Sequence, residues 1–118
     1  MNLLFVCSKN KLRSPTGEEV FSGYEGILAI GCGTNADAAT PLSGDLVEWA
    51  DIIFAMEKKH QSKIRKKFSK LAKDKKIVCL DIADNYDRMD PVLIRLLKKK
   101  VANHFTLPKK NDKPSCTL

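Results

Sequence analysis

Cys7 and Arg13 stand five residues apart in the run Cys7-Ser8-Lys9-Asn10-Lys11-Leu12-Arg13-Ser14. A cysteine and an arginine at this spacing can serve one tetrahedral anion. Five intervening residues let the backbone curl so that its N–H groups point inward, and a helix that begins where the curl ends adds positive potential. In such a cradle the segment Ser8, Lys9, Asn10, Lys11 and Leu12 would bind phosphate oxygens while Cys7 lies beneath phosphorus. Arg13 would fork onto two non-bridging oxygens, a contact that lysine cannot make. Donors of this kind favour a thiolate over a thiol, and the chemistry is then attack of sulfur on a phosphate monoester. A buried structural cysteine beside an incidental surface arginine is the plain alternative. It accounts neither for a position between a strand and a helix nor for the hydroxyl of Ser14 next to Arg13.

Short apolar runs and amphipathic segments alternate along the chain, which is the pattern of an α/β domain with a parallel sheet. Leu3–Val6, Gly26–Ile30, Asp51–Ala55 and Lys76–Leu80 read as strands buried on both faces. Ser14–Phe21, Ser43–Trp49, Glu57–Leu71 and Asp90–Phe105 read as helices. Pro15 suits a first turn, and Asp90 followed by Pro91 suits an N-cap and first helical position. Leu93, Ile94, Leu97 and Val101 recur on one face of the last helix. Ligands of open parallel sheets bind beyond the carboxyl ends of the strands, so the loop that carries Cys7 is expected at the active edge.

With 118 residues, 43% of them hydrophobic, the chain suits one domain over residues 1–107, followed by a flexible basic tail at 108–118. Met1–Val6 lacks the features of a secretion signal, and no apolar run reaches the roughly 18 residues of a membrane span. The expectation is a cytoplasmic protein with no membrane partner. The four cysteines, Cys7, Cys32, Cys79 and Cys116, have no metal-ligand spacing and are expected reduced; neither a metal nor a cofactor is expected. A net charge of +7 implies an anionic partner. The lysines gather in Lys58–Lys76 and Lys98–Lys113 with few aromatics among them, which argues for solvated helix faces and against a nucleic-acid partner. Trp49 reads as a core residue, and His60, between Lys59 and Gln61, as a surface or helix-face residue rather than a catalyst.

Phe5-Val6-Cys7, Asn10, Arg13-Ser14-Pro15, Glu18 and Val20-Phe21 together resemble the phosphate-binding loop and first helix of the low-molecular-weight protein tyrosine phosphatases. The resemblance continues in Gly31-Cys32-Gly33-Thr34, which is similar to that family's small-residue turn after the second strand. It extends to Ala50–Met56 with His60 following, and so covers the chain to about Phe105. It implies a flavodoxin-like three-layer fold with a four-stranded parallel sheet in the order 2-1-3-4, a cysteinyl-phosphate intermediate and no metal. It also implies that Asn10 braces the loop and that Ser14 hydrogen-bonds the Cys7 sulfur. The chain departs from the family at Lys9, where glycine is usual, and at Leu12, where a second cysteine is usual.

Such a reaction needs an acid at the leaving oxygen. Asp81, Asp84, Asp87 and Asp90 recur every three residues before the last helix. Asp84-Asn85-Tyr86 is similar to the family's Asp-Pro-Tyr element, which implies Asp84 as general acid and Tyr86 as a wall for the substrate ring; Asp87 is the second candidate. Asp90 reads better as a helix cap. The substrate implied is a phosphorylated protein, above all phosphotyrosine, or a small aryl phosphate. Two other functions share the anion cradle. One is a thiol-linked arsenate reductase, for which Cys32, Cys79 and Cys116 lack the paired spacing. The other is a non-catalytic phosphate-binding module, which would have no need of Cys7. Composition and motifs leave the oligomeric state open.

Overall fold

A computed structural model describes residues 1–104. The expected tail and Cys116 lie outside the described residues, as does Phe105, the expected end of the last helix. The elements run β1 (Asn2–Cys7), α1 (Arg13–Phe21), β2 (Leu28–Gly33), α2 (Gly44–Trp49), β3 (Ile52–Ala55), α3 (Lys58–Lys67), α4 (Ser69–Ala72), β4 (Lys76–Cys79) and α5 (Pro91–Ala102). All strand pairs are parallel and the order is β2-β1-β3-β4, as the resemblance implies.

Alternation along each strand divides the core in two. Leu3, Phe5, Ile52, Phe54 and Val78 face a cluster closed by Phe21 of α1 and Leu93, Leu97 and Val101 of α5. Leu4, Val6, Cys32, Ile53, Ala55 and Ile77 face a second cluster closed by Val47, Ile64 and Ala72 from α2, α3 and α4. The result is three layers, with helices on both faces of the sheet. Phe5 is the pivot of the first cluster. Its ring stacks on Phe21 at 5.2 Å and on Phe54 at 5.3 Å, and Gly17 lets α1 approach it, since a Cβ there would come within 2.7 Å of the ring.

Three features differ from the sequence reading, two of them element boundaries. The second strand begins at Leu28 and takes in Gly31, Cys32 and Gly33, which pair with Phe5, Val6 and Cys7; the expected small-residue turn is strand. The glycines are there for proximity. A Cβ on Gly31 would lie 2.6 Å from the carbonyl oxygen of Ser14, and one on Gly33 would lie 2.4 Å from that of Ser8. Second, the expected helix Glu57–Leu71 breaks at Phe68, whose φ of −121° and ψ of 47° lie outside the helical range. The break lets Phe68 and Ala72 both reach the second cluster. Third, Trp49 is only half-buried, packed against the edge of that cluster rather than inside it. Asp90 caps α5 as expected, its carboxylate accepting from the amide of Val92 at 2.8 Å.

Candidate active site

Helix α1 follows β1 on one face of the sheet, whereas α2 and α3 pack on the other. The chain thus winds in opposite senses away from β1, and the loops after β1 and β3 part above the sheet. This is where open α/β sheets bind ligands. The loop after β1 carries the anion-cradle residues, and the segment 34–39 after β2 holds it from outside. Amides of Thr34, Asn35 and Ala39 donate to the carbonyls of Cys7, Ser8 and Lys9 at 2.9, 2.9 and 3.4 Å. With its carbonyls engaged there, the loop can turn amides toward the sulfur. The amide of Asn10 lies 3.2 Å from Cys7 Sγ.

The left-handed residue in this loop is Asn10, with φ of 57°, and not Lys9. Asparagine is among the side chains that tolerate this region best. Its side chain also works, since Asn10 Oδ1 accepts from Ser14 Oγ at 2.6 Å. Ser14 Oγ in turn lies 2.9 Å from Cys7 Sγ. Cys7 and Ser14 are both buried, so this contact is shielded from water.

A cavity of about 200 Å³ opens above the sulfur, lined by Cys7, Ser8, Lys9, Lys11, Leu12, Arg13 and Asp84. Lys9 and Lys11 are exposed at its mouth. Arg13 is only 3% exposed, and it is held by two other loops. Its Nη1 donates to Glu57 Oε2 at 2.6 Å and to the carbonyl of Ile82 at 2.7 Å, while its Nε lies 3.7 Å from Asp84 Oδ1. The hydrogen bond from Arg13 holds the Glu57 carboxyl below the usual carboxylate range.

Asp84 stands in the segment between β4 and α5, its side chain 62% exposed. That segment is tied down at both ends. Ile82 is buried and its amide donates to the carbonyl of Met56 at 2.8 Å. Met89, with φ of 61°, donates its amide to Thr16 Oγ1 at 2.9 Å. Of the four aspartates, Asp84 is the one on the cavity. Tyr86 packs half-buried against the first core cluster, apart from the residues that line the cavity.

His60 is a correction. It is fully buried, not on the surface. Its Nε2 lies 2.9 Å from Ser8 Oγ, and its Nδ1 accepts from the amide of Glu57 at 3.1 Å. Burial, then the nearby charge of Arg13, pushes its pKa down to about 4. Glu57 and His60 were both missed as site residues by sequence reasoning. The available signal was position, since they follow directly on the strand that pairs with β1.

Cys32 is buried in the second cluster, and burial followed by the field of Cys7 pushes its thiol pKa up. A larger cavity of about 440 Å³ lies elsewhere, lined by Thr34, Leu42, Lys63, Lys66 and Lys67. No cysteine lines it, whereas the smaller cavity brings a cysteine, an arginine and an aspartate together.

No protein-family model matches the sequence, and no curated protein does. Solved structures do match. The tyrosine phosphatase Wzb from Escherichia coli K30, solved in complex with phosphate, superposes with a TM-score of 0.68 at 19% identity, over 86% of this chain and 94% of that one. The YwlE arginine phosphatase from Geobacillus stearothermophilus gives a TM-score of 0.65 at 20% identity over 84% of each chain. A low-molecular-weight protein tyrosine phosphatase from Bacillus subtilis gives 0.61 at 20% identity, over 88% of this chain and 99% of that one. These likenesses establish a shared fold.

Proposed function

We propose that the chain is a phosphatase of the low-molecular-weight protein tyrosine phosphatase type, acting on phosphate monoesters of protein side chains, phosphotyrosine first among them. One observation carries the reading: Cys7 Sγ lies at the floor of a cavity with the Asn10 amide at 3.2 Å, the Ser14 hydroxyl at 2.9 Å and both Arg13 and Asp84 on its walls. A binding module would need the cation and the amides, but not a sulfur beneath them.

In the reaction, the Cys7 thiolate attacks phosphorus as the bond from phosphorus to the leaving oxygen breaks, and Asp84 delivers a proton to that oxygen. The cysteinyl phosphate is then attacked by water. Asp84 takes the water's proton, the phosphorus–sulfur bond breaks, and inorganic phosphate leaves. Arg13 and the loop amides stabilise the equatorial oxygens in both steps. The Asn10 amide, 3.2 Å from Sγ, stabilises the sulfur as it departs, and Ser14 joins it by turning its hydroxyl hydrogen from Asn10 Oδ1 to Sγ. The names of similar proteins of this fold, tyrosine and arginine phosphatases, support a phosphorylated side chain as the substrate.

An arsenate reductase would need a second thiol to attack Cys7. Cys32 is buried and held in its thiol form, which disfavours that route. The test is steady-state hydrolysis of p-nitrophenyl phosphate and of phosphotyrosine peptides by the wild type and by Cys7→Ser. Turnover should vanish in the variant while phosphate or vanadate still binds. Wild-type hydrolysis by Cys7→Ser would remove Cys7 from the mechanism. Arsenate-dependent oxidation of a thiol reductant without phosphate release would favour the reductase.

A further inference from the structure

The hydrogen bonds around His60 locate its proton. The amide of Glu57 points at Nδ1 from 3.1 Å, and a backbone amide can only donate. Nδ1 must therefore present a lone pair, and in the neutral ring the hydrogen sits on Nε2. That nitrogen lies 2.9 Å from Ser8 Oγ. With Nε2 as donor, the Ser8 oxygen accepts, and its own hydrogen is left for another acceptor. Among the described residues this is the one side-chain hydrogen bond that Ser8 Oγ makes, and Ser8 lines the cavity above Cys7. Full burial of the ring favours the neutral form on which the assignment depends.

We propose that the Ser8 hydroxyl donates a hydrogen bond to an oxygen of the bound phosphate, and that His60 is the positioning residue that orients it. The catalytic part rests on the phosphatase reading above; the binding part does not. The arrangement links two walls of the site through one cap. Glu57 gives its amide to His60 and its carboxylate to Arg13, so the first turn of α3 holds the hydroxyl and the guanidinium in one frame. A proton on Nδ1 would set two donors face to face and disturb both.

A histidine that merely fills the core makes a different prediction from one that aims a hydroxyl. The experiment measures inorganic phosphate binding by calorimetry and hydrolysis of p-nitrophenyl phosphate for the wild type, Ser8→Ala, Ser8→Thr, His60→Gln and the double variant, with thermal unfolding as the check on folding. Ser8→Ala should weaken phosphate binding about ten-fold, the scale of one hydrogen bond to a charged group, and lower kcat/KM alike, while Ser8→Thr stays near the wild type. Adding His60→Gln to Ser8→Ala should weaken binding no further, because the hydroxyl it orients is already gone. Phosphate affinity unchanged in Ser8→Ala, or losses that add in full, would overturn the proposal. If His60→Gln does not fold, the contrast of Ser8→Ala with Ser8→Thr still decides. A wild type that binds phosphate but hydrolyses no monoester would end the phosphatase reading and leave the binding arm to decide this one; a wild type that binds no phosphate would end both.

Discussion

Glu57 and Arg13, 44 residues apart in the chain, meet at 2.6 Å across the gap between the loops after β3 and β1. Parallel pairing of β1 with β3 brings their carboxyl ends side by side, and the buried guanidinium spans the gap. Nη1 is committed to Glu57 and to the Ile82 carbonyl and Nε faces Asp84 at 3.7 Å, so Nη2 is the part of the fork without a protein partner among these contacts.

Removing that anchor should loosen Arg13 without removing its charge. Glu57→Gln is expected to lower kcat/KM for an aryl phosphate by about ten-fold and stability by about 1–3 kcal/mol, the range for a buried partner left with a weaker hydrogen bond. Because the Glu57 carboxyl is held below its ordinary range, its contribution is complete above pH 4.5 and fades as pH falls through the lowered value. Urea unfolding of the wild type and variant at neutral and strongly acidic pH should therefore converge at the acidic end. A stability gap that persists there would separate Glu57 from the effect.

Arg13→Lys should lose more. A lysine keeps one charge but cannot span Glu57, the Ile82 carbonyl and a phosphate at once. Activity is expected to fall by at least about a hundred-fold, on the scale of losing one preorganised donor. Steady-state kinetics showing more than a tenth of wild-type kcat/KM would count against the assignment.

Asp84 lines the cavity and Asp87 does not. Asp84→Asn should cripple phenyl phosphate and phosphotyrosine peptides, whose leaving groups need a proton. It should affect p-nitrophenyl phosphate less, since a nitrophenolate leaves unaided. Asp87→Asn should show no such difference. Kinetics on the two substrates decide it: leaving-group dependence in the Asp87 variant would shift the acid three residues along the loop.

His60 gives the fold a second pH dependence. Its pKa drops from 6.5 to about 4 on folding, so the unfolded chain binds the proton more tightly. The stability tied to the neutral ring is complete above pH 6.5 and is lost as pH falls through 6.5 toward 4, by on the order of 3 kcal/mol. His60→Gln should flatten the change in unfolding free energy between pH 7 and 4.5. An unchanged slope would mean that the ring titrates normally in the folded protein.

Gly33→Ala tests the contact between β2 and the loop. The added Cβ would lie 2.4 Å from the Ser8 carbonyl oxygen and 3.0 Å from the Asn10 nitrogen, both backbone atoms. The strain should destabilise the protein by about 1–3 kcal/mol and weaken vanadate binding, because the loop must move. Gly23→Ala, where the nearest atom stands 3.5 Å away, should leave vanadate binding as in the wild type. Equal vanadate affinities for the wild type and Gly33→Ala would show that the loop does not depend on this packing.

The features legible along the chain were local ones. Near-continuous apolar runs placed the strands because a sheet covered on both faces buries most of their residues, and proline and aspartate placed the start of α5 because each acts within one turn. The spacing of Cys7 and Arg13 was legible for the same reason, since one short loop contains the cradle. Which partners reach that loop depends on the folding of the whole chain. Glu57 and His60 sit in a lysine-rich stretch whose composition reads as solvated helix, and nothing local shows that the first turn of α3 is set against β1's loop. Gly31 and Gly33 read as a turn, since glycine signals turns, until strand pairing shows that the absent Cβ atoms make room for Ser14 and Ser8. Among four evenly spaced aspartates it was resemblance, and not spacing, that singled out Asp84; anchoring at Ile82 and Met89 is what brings it to the cavity. Contacts across dozens of residues depend on strand order and on which loops share an edge, and those are properties of the folded chain.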